Sequence, residues 1–323
     1  MIKITLPDGS VKEFAQGTTP MDVALSISEG LARNVISATF NGTTVETTTP
    51  LTTDGSLVLF TWNDEGGKKA FWHSSAHVLA ETILEFYPEA KLTIGPAIEN
   101  GFYYDLDLGE NIISEKDFQQ IEKKFLELAR GKHQFKMRSV SKADALSMYV
   151  KEDNSYKVEL IEGLTDGDIT FCDHNNFTDL CRGGHIPNTG IIKAVKIMNV
   201  AGAYWRGDEK NAMLQRIYGT AWPSQDELNA YLELLAEAEK RDHRRPGQEL
   251  DLFSFPEEIG SGLAVFHPKG GIIRRAMEDY SRKRHEEEEY EFVYSPHLTK
   301  AALFEKSGHL DWYSEGMYPP MIM

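Results

Sequence analysis

The chain of 323 residues is long enough for two or three domains. It is 41% hydrophobic and 26% charged, without an apolar run near the roughly 18 residues that span a bilayer, so we expect no membrane segment. A net charge of −16 argues against bulk attraction to nucleic acid, and an RNA partner would have to meet local basic clusters such as residues 130–138 and 241–245. The N-terminus lacks the layout of a signal peptide, and two cysteines offer no disulfide framework, which predicts a cytoplasmic protein with free thiols.

Residues 1–62 predict a small β-grasp unit. Turn signals at Asp8-Gly9 and Asn41-Gly42 interrupt alternating apolar and polar positions, as in two hairpins. Thr19-Pro20 is typical of a helix start, and the apolar spacing predicts one helix to Leu31. SLVLF predicts a closing strand, and the polar, glycine-rich residues 63–67 predict a linker.

Residues 68–223 predict an α+β domain. A helix from residue 71 to Pro88 carries an apolar stripe, and a second helix runs from a capping box at Ser114 and Asp117 to Gly131. Shorter helical patterns follow over 141–163. Strand-like runs then dominate up to residue 222, which favours a mainly antiparallel sheet.

The remaining residues predict a connector and the start of a third domain. A helix is expected from Ser224 to Lys240, within a connector over 224–245. Over 246–323, a long helix is expected from Gly271 to Tyr290, and EFVYSP predicts a strand that Pro296 ends. Eighty residues are few for a domain that begins in this way, so we expect the chain to be a fragment of a longer protein.

Two short segments carry candidate chemistry. His73 and His77 lie one helical turn apart, and Cys181 and His185 repeat that spacing around a Gly-Gly pair. Three imidazoles and a thiolate are a sound tetrahedral zinc set. The same groups could instead form a metal-free active site, with His73 as base or water-orienting group, or could be packed core residues. The residues alone leave these alternatives open.

The sequence closely resembles threonyl-tRNA synthetases of the bacterial type over essentially its whole length. The resemblance rests on HSSAHVLAETILEFYPEAKLTIGPAIENGFYYD, FTDLCRGGHIPNTG, AYWRGDEKNAMLQRIYGTAW, KRDHRRPGQELDLF and the run toward YSPHL. It implies a TGS (β-grasp) domain at 1–62 and a hydrolytic editing domain at 68–223. Residues 246–323 would begin the antiparallel-sheet core of the class II aminoacylation domain and include its motif 1.

This resemblance also implies an activity. The full-length enzyme would charge tRNA(Thr) with threonine, and the fragment would keep only the hydrolysis of mischarged Ser-tRNA(Thr). A threonine pocket rejects the smaller serine by only about 10 to 200-fold, so a second, hydrolytic site is needed. By resemblance that site contains seven residues: His73, His77, Tyr104, Lys157, Asp179, Cys181 and His185.

Within that implied site we assign roles as a hypothesis. His73 and Lys157 would position water and the sugar hydroxyls of the ester, while the other residues, with Asp179 and Tyr104 as substrate-binding groups, would shape the serine pocket. No metal is expected there. Zinc on His73, His77, Cys181 and His185 is the alternative, because the similar alanyl editing domain uses equivalent residues to hold zinc.

The expected cofactors and partners follow from the same resemblance. ATP, magnesium and zinc would serve the full-length enzyme at sites beyond residue 323, and none is expected in the fragment. The partners would be the acceptor end of tRNA(Thr), serine as the mischarged amino acid, and a second subunit in a homodimer built on motif 1. The competing hypotheses are a zinc-dependent hydrolase and a non-catalytic tRNA-binding module.

Overall fold

The computed structural model of the chain describes residues 1–260, 262–297, 299–313, 316, 317 and 321. These residues form two compact units, Met1–Ala236 and Glu237–Met323. Within the described part of the chain, no helix is both long enough and apolar enough to cross a membrane. Helices and strands are numbered below in chain order.

The first sixty residues form a five-stranded mixed sheet with two short helices. Their elements are β1 Ile2–Thr5, β2 Val11–Phe14, α1 Pro20–Ile27, α2 Glu29–Asn34, β3 Val35–Phe40, β4 Thr43–Val45 and β5 Gly55–Thr61. The strand order is β2-β1-β5-β3-β4, with β1 parallel to β5 and antiparallel pairs elsewhere. Both predicted hairpins are confirmed. The single predicted helix is wrong, because Ser28 is extended and its side chain accepts from the Leu31 amide at 3.0 Å, which begins a second helix.

The predicted linker over 63–67 is also wrong. Helix α3 spans Glu65–Phe86, so it begins six residues earlier than expected and contains both glycines. A Cβ on Gly67 would lie 1.8 Å from the carbonyl oxygen of Thr61, at the end of β5. The glycine therefore serves close packing of the helix against the strand.

Helix α3 is buried along most of its length, from Gly67 to Ile83. The hydroxyls of Ser74, Ser75 and Thr82 donate to carbonyl oxygens one turn earlier in the helix, so these polar side chains are buried without losing hydrogen bonds. Trp72 donates its indole N–H to the Ala221 carbonyl at 2.9 Å. The bond from Trp72 and the bond that the Ile186 amide donates to Ser74 Oγ at 3.0 Å tie one face of α3 to other elements.

Two antiparallel sheets and three further helices complete this part of the first unit. The elements are β6 Lys91–Leu92, β7 Ala97–Ile98, β8 Gly101–Asp107, α4 Glu115–Arg130, β9 Lys136–Ser139, α5 Lys142–Lys151, α6 Ser155–Glu162, β10 Thr170–His174, β11 Phe177–Leu180, β12 Ala194–Tyr204 and β13 Met213–Trp222. The strand orders are β12-β13-β8-β6, with β7 also on β8, and β11-β10-β9. The predicted α+β class is confirmed, as are the capping box and the end of α4.

The C-terminal elements are mostly helical. They are α7 Gln225–Lys240, α8 Arg244–Glu249, β14 Phe253–Ser254, β15 Val265–Phe266, α9 Pro268–Glu287, α10 Ala301–Lys306 and α11 His309–Trp312. The long helix predicted from Gly271 is confirmed as α9. The strand predicted at EFVYSP is wrong: residues 291–296 are irregular, Val293 and Tyr294 are exposed, and no described strand pairs with them. A strand needs a hydrogen-bonded neighbour, and the sequence pattern does not supply one.

Candidate active site

Helix α3 presents the first pair of candidate residues. His73 and His77 lie one turn apart on the same face, with ring centroids 4.8 Å apart. His77 is buried, while His73 is half-buried and lines a cavity. Burial restricts the His77 imidazole, whereas the His73 imidazole has access to the cavity.

The second pair follows the end of β11. Gly183 and Gly184 have φ values of +95° and +92°, which only glycine adopts readily, and they turn the chain sharply. The turn returns His185 to Cys181, with Nε2 3.3 Å from Sγ. The Gly183 amide also donates to Sγ at 3.3 Å.

The two pairs meet. His73 Nε2 lies 3.0 Å from Cys181 Sγ, and one donor atom from each of the four residues lies within 4.8 Å of all the others. A tetrahedral zinc site needs ligand atoms about 3.3 to 3.6 Å apart. The donor set and its spacing therefore fit zinc with small side-chain movements, and they equally form a compact polar cluster without it.

A buried ion pair adjoins this cluster. Lys157 Nζ lies 2.5 Å from Asp179 Oδ1, and both side chains are almost completely buried. Tyr104 donates its hydroxyl to Asp179 Oδ2 at 2.6 Å, and His77 Nδ1 is 3.5 Å from the same oxygen. Lys157 is held in the first turn of α6, where its amide donates to the capping side chain of Asn154. All seven residues of the predicted site thus lie together.

Burial and neighbouring charges set the protonation of the cluster. Burial lowers the pKa of His77 to about 4, so its imidazole is neutral at pH 7. Burial alone would raise the pKa of the Cys181 thiol, but the adjacent imidazoles of His77, His185 and His73 bring that pKa well below its usual value. The neighbouring imidazoles thus favour the thiolate form of Cys181.

His185 carries the balancing charge. Burial alone would lower its pKa, but hydrogen bonds with Cys172, Cys181 and Glu46 raise the pKa well above the usual value. The second thiol, Cys172, behaves differently, because burial raises its pKa to about 11. The contact between Cys181 and His185 therefore favours a thiolate paired with an imidazolium, beside the neutral His77.

A cavity of about 890 Å³ opens onto these groups. His73, Lys157 and Asp179 line it on one side, and Thr39, Thr44 and Phe60 of the first sixty residues line it on another. Pockets of about 300 to 1,000 Å³ hold drug-sized ligands. The cavity is therefore large enough for a nucleoside in addition to an amino acid.

Two family models match the chain. The model described as the TGS domain matches residues 2–61. The model described as the threonyl and alanyl tRNA synthetase second additional domain matches residues 169–218, which include Asp179, Cys181 and His185. The matched range excludes α3 and its two histidines.

Similar curated proteins cover nearly all of the chain. “Threonine--tRNA ligase” of Flavobacterium johnsoniae is 62% identical over 99% of the chain, and the proteins of that name from Cytophaga hutchinsonii and Parabacteroides distasonis are 52% and 49% identical over 98% and 99%. The chain is homologous to threonine-tRNA ligases. It spans about half the length of these relatives, 49% in each case.

Two residues of the cluster were not predicted from the sequence. Glu46, directly after β4, is bonded to His185, and Cys172 on β10 lies 3.7 Å from His185 Nδ1. Glu46 stands among threonines with no motif around it, and 139 residues separate it from its partner. For Cys172 the sequence offered one indication that it could belong to the cluster, because it is one of just two cysteines in the chain.

Proposed function

We propose that this chain hydrolyses the seryl ester of mischarged Ser-tRNA(Thr). One observation carries the proposal: His73, His77 and Cys181 line, beside the Lys157–Asp179 ion pair, a cavity with room for an aminoacyl nucleoside, and His185 contacts Cys181 from the buried side. The second-additional-domain match supports the same assignment. Serine and the acceptor end of tRNA(Thr) are the proposed substrate parts.

In the proposed reaction, water attacks the ester carbonyl carbon and the bond to the ribose oxygen breaks. His73 is the half-exposed imidazole of the three, so it orients the attacking water and takes its proton. His73 then gives that proton to the departing ribose oxygen, which leaves as a hydroxyl, and the imidazole returns to its neutral form. Lys157 lines the cavity and binds the neighbouring sugar hydroxyl.

The proposed serine pocket lies among the buried groups. His77, Tyr104 and Asp179 are each at most 3% exposed and are bonded or packed together, so their side chains have little room to yield to an added methyl. Cys181 lines the cavity and supplies a polar wall for the serine hydroxyl, while the fully buried His185 supports Cys181 from behind. A seryl group is accepted and a threonyl group is excluded.

The test is deacylation of Ser-tRNA(Thr). We expect the His73→Ala variant to lose roughly 10²- to 10⁴-fold in rate, the contribution typical of a general base. The Lys157→Ala variant should also be slow. His133→Ala, which changes a half-buried histidine outside the cavity, is the control and should keep the wild-type rate. Wild-type rates in the His73 and Lys157 variants would end the assignment.

Zinc-dependent hydrolysis is a second candidate, favoured by the four donor atoms within 4.8 Å. His73, His77, Cys181 and His185 would hold the ion, which would supply an activated water. Metal analysis of protein purified without added metal separates the two candidates. One equivalent of zinc, lost in Cys181→Ala but kept in Cys172→Ala, would favour the metal. Tight binding of Ser-tRNA(Thr) without any hydrolysis would instead favour a non-catalytic tRNA-binding module.

We extend the proposal to a protein of the length of the curated relatives, of which this chain spans about half. That protein would be a cytoplasmic, homodimeric ligase that charges tRNA(Thr) with threonine and uses ATP, magnesium and zinc at sites outside this sequence. The same proposal includes the domain boundaries 1–62, 68–223, 224–245 and 246–323. The last range would contain motif 1 of a class II core. The test measures threonylation of tRNA(Thr) by the whole protein with and without the His73→Ala substitution. The substitution should increase the accumulation of Ser-tRNA(Thr) and leave the rate of threonylation unchanged.

A further inference from the structure

The β-grasp unit contributes a buried carboxylate to the proposed site. Glu46 follows β4 and is 8% exposed. Its Oε1 accepts from the Gly184 amide at 3.0 Å and lies 2.9 Å from His185 Nδ1. The His185 amide donates to Oε2 at 3.2 Å. All three partners lie in the turn that returns His185 to Cys181.

These contacts orient the His185 ring. A carboxylate accepts hydrogen bonds, so Nδ1 carries the proton that faces Glu46, and Nε2 faces Cys181 Sγ at 3.3 Å. The ring is held between two others: Phe135 stacks at 5.1 Å with an angle of 8°, and His73 stacks at 4.9 Å with an angle of 28°. Among the residues that the structure describes, only Glu46 bonds both the ring and the backbone amide of His185.

The two glycines make this restraint necessary. At φ values near +90° the backbone of Gly183 and Gly184 has no side chain to limit it. The Cβ of a residue replacing Gly184 would lie 3.1 Å from the Thr44 side chain, so the turn also packs directly on β4. The carboxylate therefore substitutes for the side-chain packing that this turn lacks.

We propose that Glu46 is a positioning residue of the hydrolytic site, which holds the Gly183–His185 turn and the His185 ring in the orientation that the site requires. The β-grasp unit is then part of the site. This inference rests on the proposed function for its kinetic readout alone.

The test compares Glu46→Ala with Glu46→Gln in the full chain. Alanine removes every acceptor, so we expect kcat for Ser-tRNA(Thr) hydrolysis to fall about 10- to 100-fold, the usual effect of losing a residue that orients a functional histidine, with KM little changed. Glutamine keeps one oxygen that can accept the Gly184 amide and Nδ1–H, so it should recover much of the rate. Glu13→Ala, on the exposed face of β2, is the matched control and should change nothing.

A second readout separates positioning from simple stabilisation. In ¹⁵N-histidine spectra we expect a protonated Nδ1 at His185 in the unaltered chain, kept in Glu46→Gln and lost or exchanging in Glu46→Ala. Wild-type kcat in Glu46→Ala, or a fall in kcat with an unchanged His185 signal, would overturn the inference. If the unaltered chain does not hydrolyse Ser-tRNA(Thr), the proposed function fails, and the His185 signal alone decides the role of Glu46.

Discussion

At the scale of single residues, the site depends on charges that are buried and paired. Lys157 and Asp179 are each 2% exposed, a position in which an unpaired charge is very costly. Tyr104 supplies one further hydrogen bond to the carboxylate. The pair therefore fixes the geometry of the site. While both partners are present its net contribution to stability is small, but loss of either partner would be strongly destabilising.

Removing one partner should show this. We expect Asp179→Asn to lower the free energy of unfolding by about 3 to 5 kcal/mol, because Lys157 is left buried and unpaired. The matched control is Asp153→Asn, which breaks the exposed ion pair with Lys91 and should cost at most about 1 kcal/mol. Urea unfolding followed by circular dichroism measures both. Equal losses in the two variants would contradict the buried ion pair.

The two cysteines should differ sharply in reactivity. Cys181 lines the cavity and its pKa lies well below the usual value, whereas burial raises the pKa of Cys172 to about 11. We expect iodoacetamide to modify Cys181 first in the native protein. Between pH 8 and pH 6 its rate should fall less steeply than that of an ordinary thiol, which slows by about tenfold per unit, because the lowered pKa keeps a larger fraction of Cys181 ionised. Peptide mass spectrometry gives the rates, and preferential labelling of Cys172 would contradict the assignment.

At the scale of elements, helix α3 holds half of the cluster and depends on a glycine. We expect Gly67→Ala to destabilise the protein by about 1 to 3 kcal/mol, because the added Cβ would lie 1.8 Å from the Thr61 carbonyl oxygen and force the helix off the strand. Gly30→Ala in α2 is the control, since its Cβ would meet only Ser28 Oγ at 3.9 Å. That variant should be neutral or stabilised by up to about 1 kcal/mol. Thermal unfolding compares the two.

The elements also show which features a sequence can predict. Local chemistry predicted the hairpin turns and the ends of α4, because turn residues and capping boxes act within a few positions. Gly66 and Gly67 led to the wrong prediction of a linker, because glycine occurs both in flexible segments and where a helix packs closely on a neighbour, and the sequence alone does not distinguish the two. The strand predicted at EFVYSP was also wrong, because residues with high strand propensity form a strand only when a neighbouring strand pairs with them.

The candidate site divides in the same way. The spacing of His73 with His77, and of Cys181 with His185, predicted two pairs, and the structure brings both pairs together. Lys157, Asp179 and Tyr104 came from family resemblance, since no local pattern distinguishes them. Glu46 was missed because its role exists only through contact between β4 and a turn 139 residues away.

At the scale of the whole molecule, the β-grasp unit and the α+β region share one set of contacts. Trp62, after β5, packs on Trp72 of α3 and Trp222 of β13 with ring centroids 5.7 and 5.4 Å apart. Glu46 adds the hydrogen bonds to His185 described above. Both fall within the compact unit Met1–Ala236.

We therefore expect this unit to unfold as a single cooperative body. Hydrogen exchange followed by mass spectrometry should give β1, β3, α3 and β13 the same opening free energy. Trp62→Ala should lower that value for all four elements together, by about 3 kcal/mol, because a large aromatic contact is removed. Peptides from α9, in the second unit, are the control and should not change. Separate opening of the β-grasp strands would contradict the shared core.

The order of the residues along the chain has a consequence for synthesis. The ribosome completes His73 and His77 about a hundred residues before Cys181 and His185, while Glu46 precedes them all. A nascent chain that ends at β10 carries two imidazoles on a helix but neither the thiolate nor the turn. The proposed ester cleavage would thus have to wait until β11 and the glycine turn have emerged, so an incompletely synthesised copy should have no hydrolytic activity.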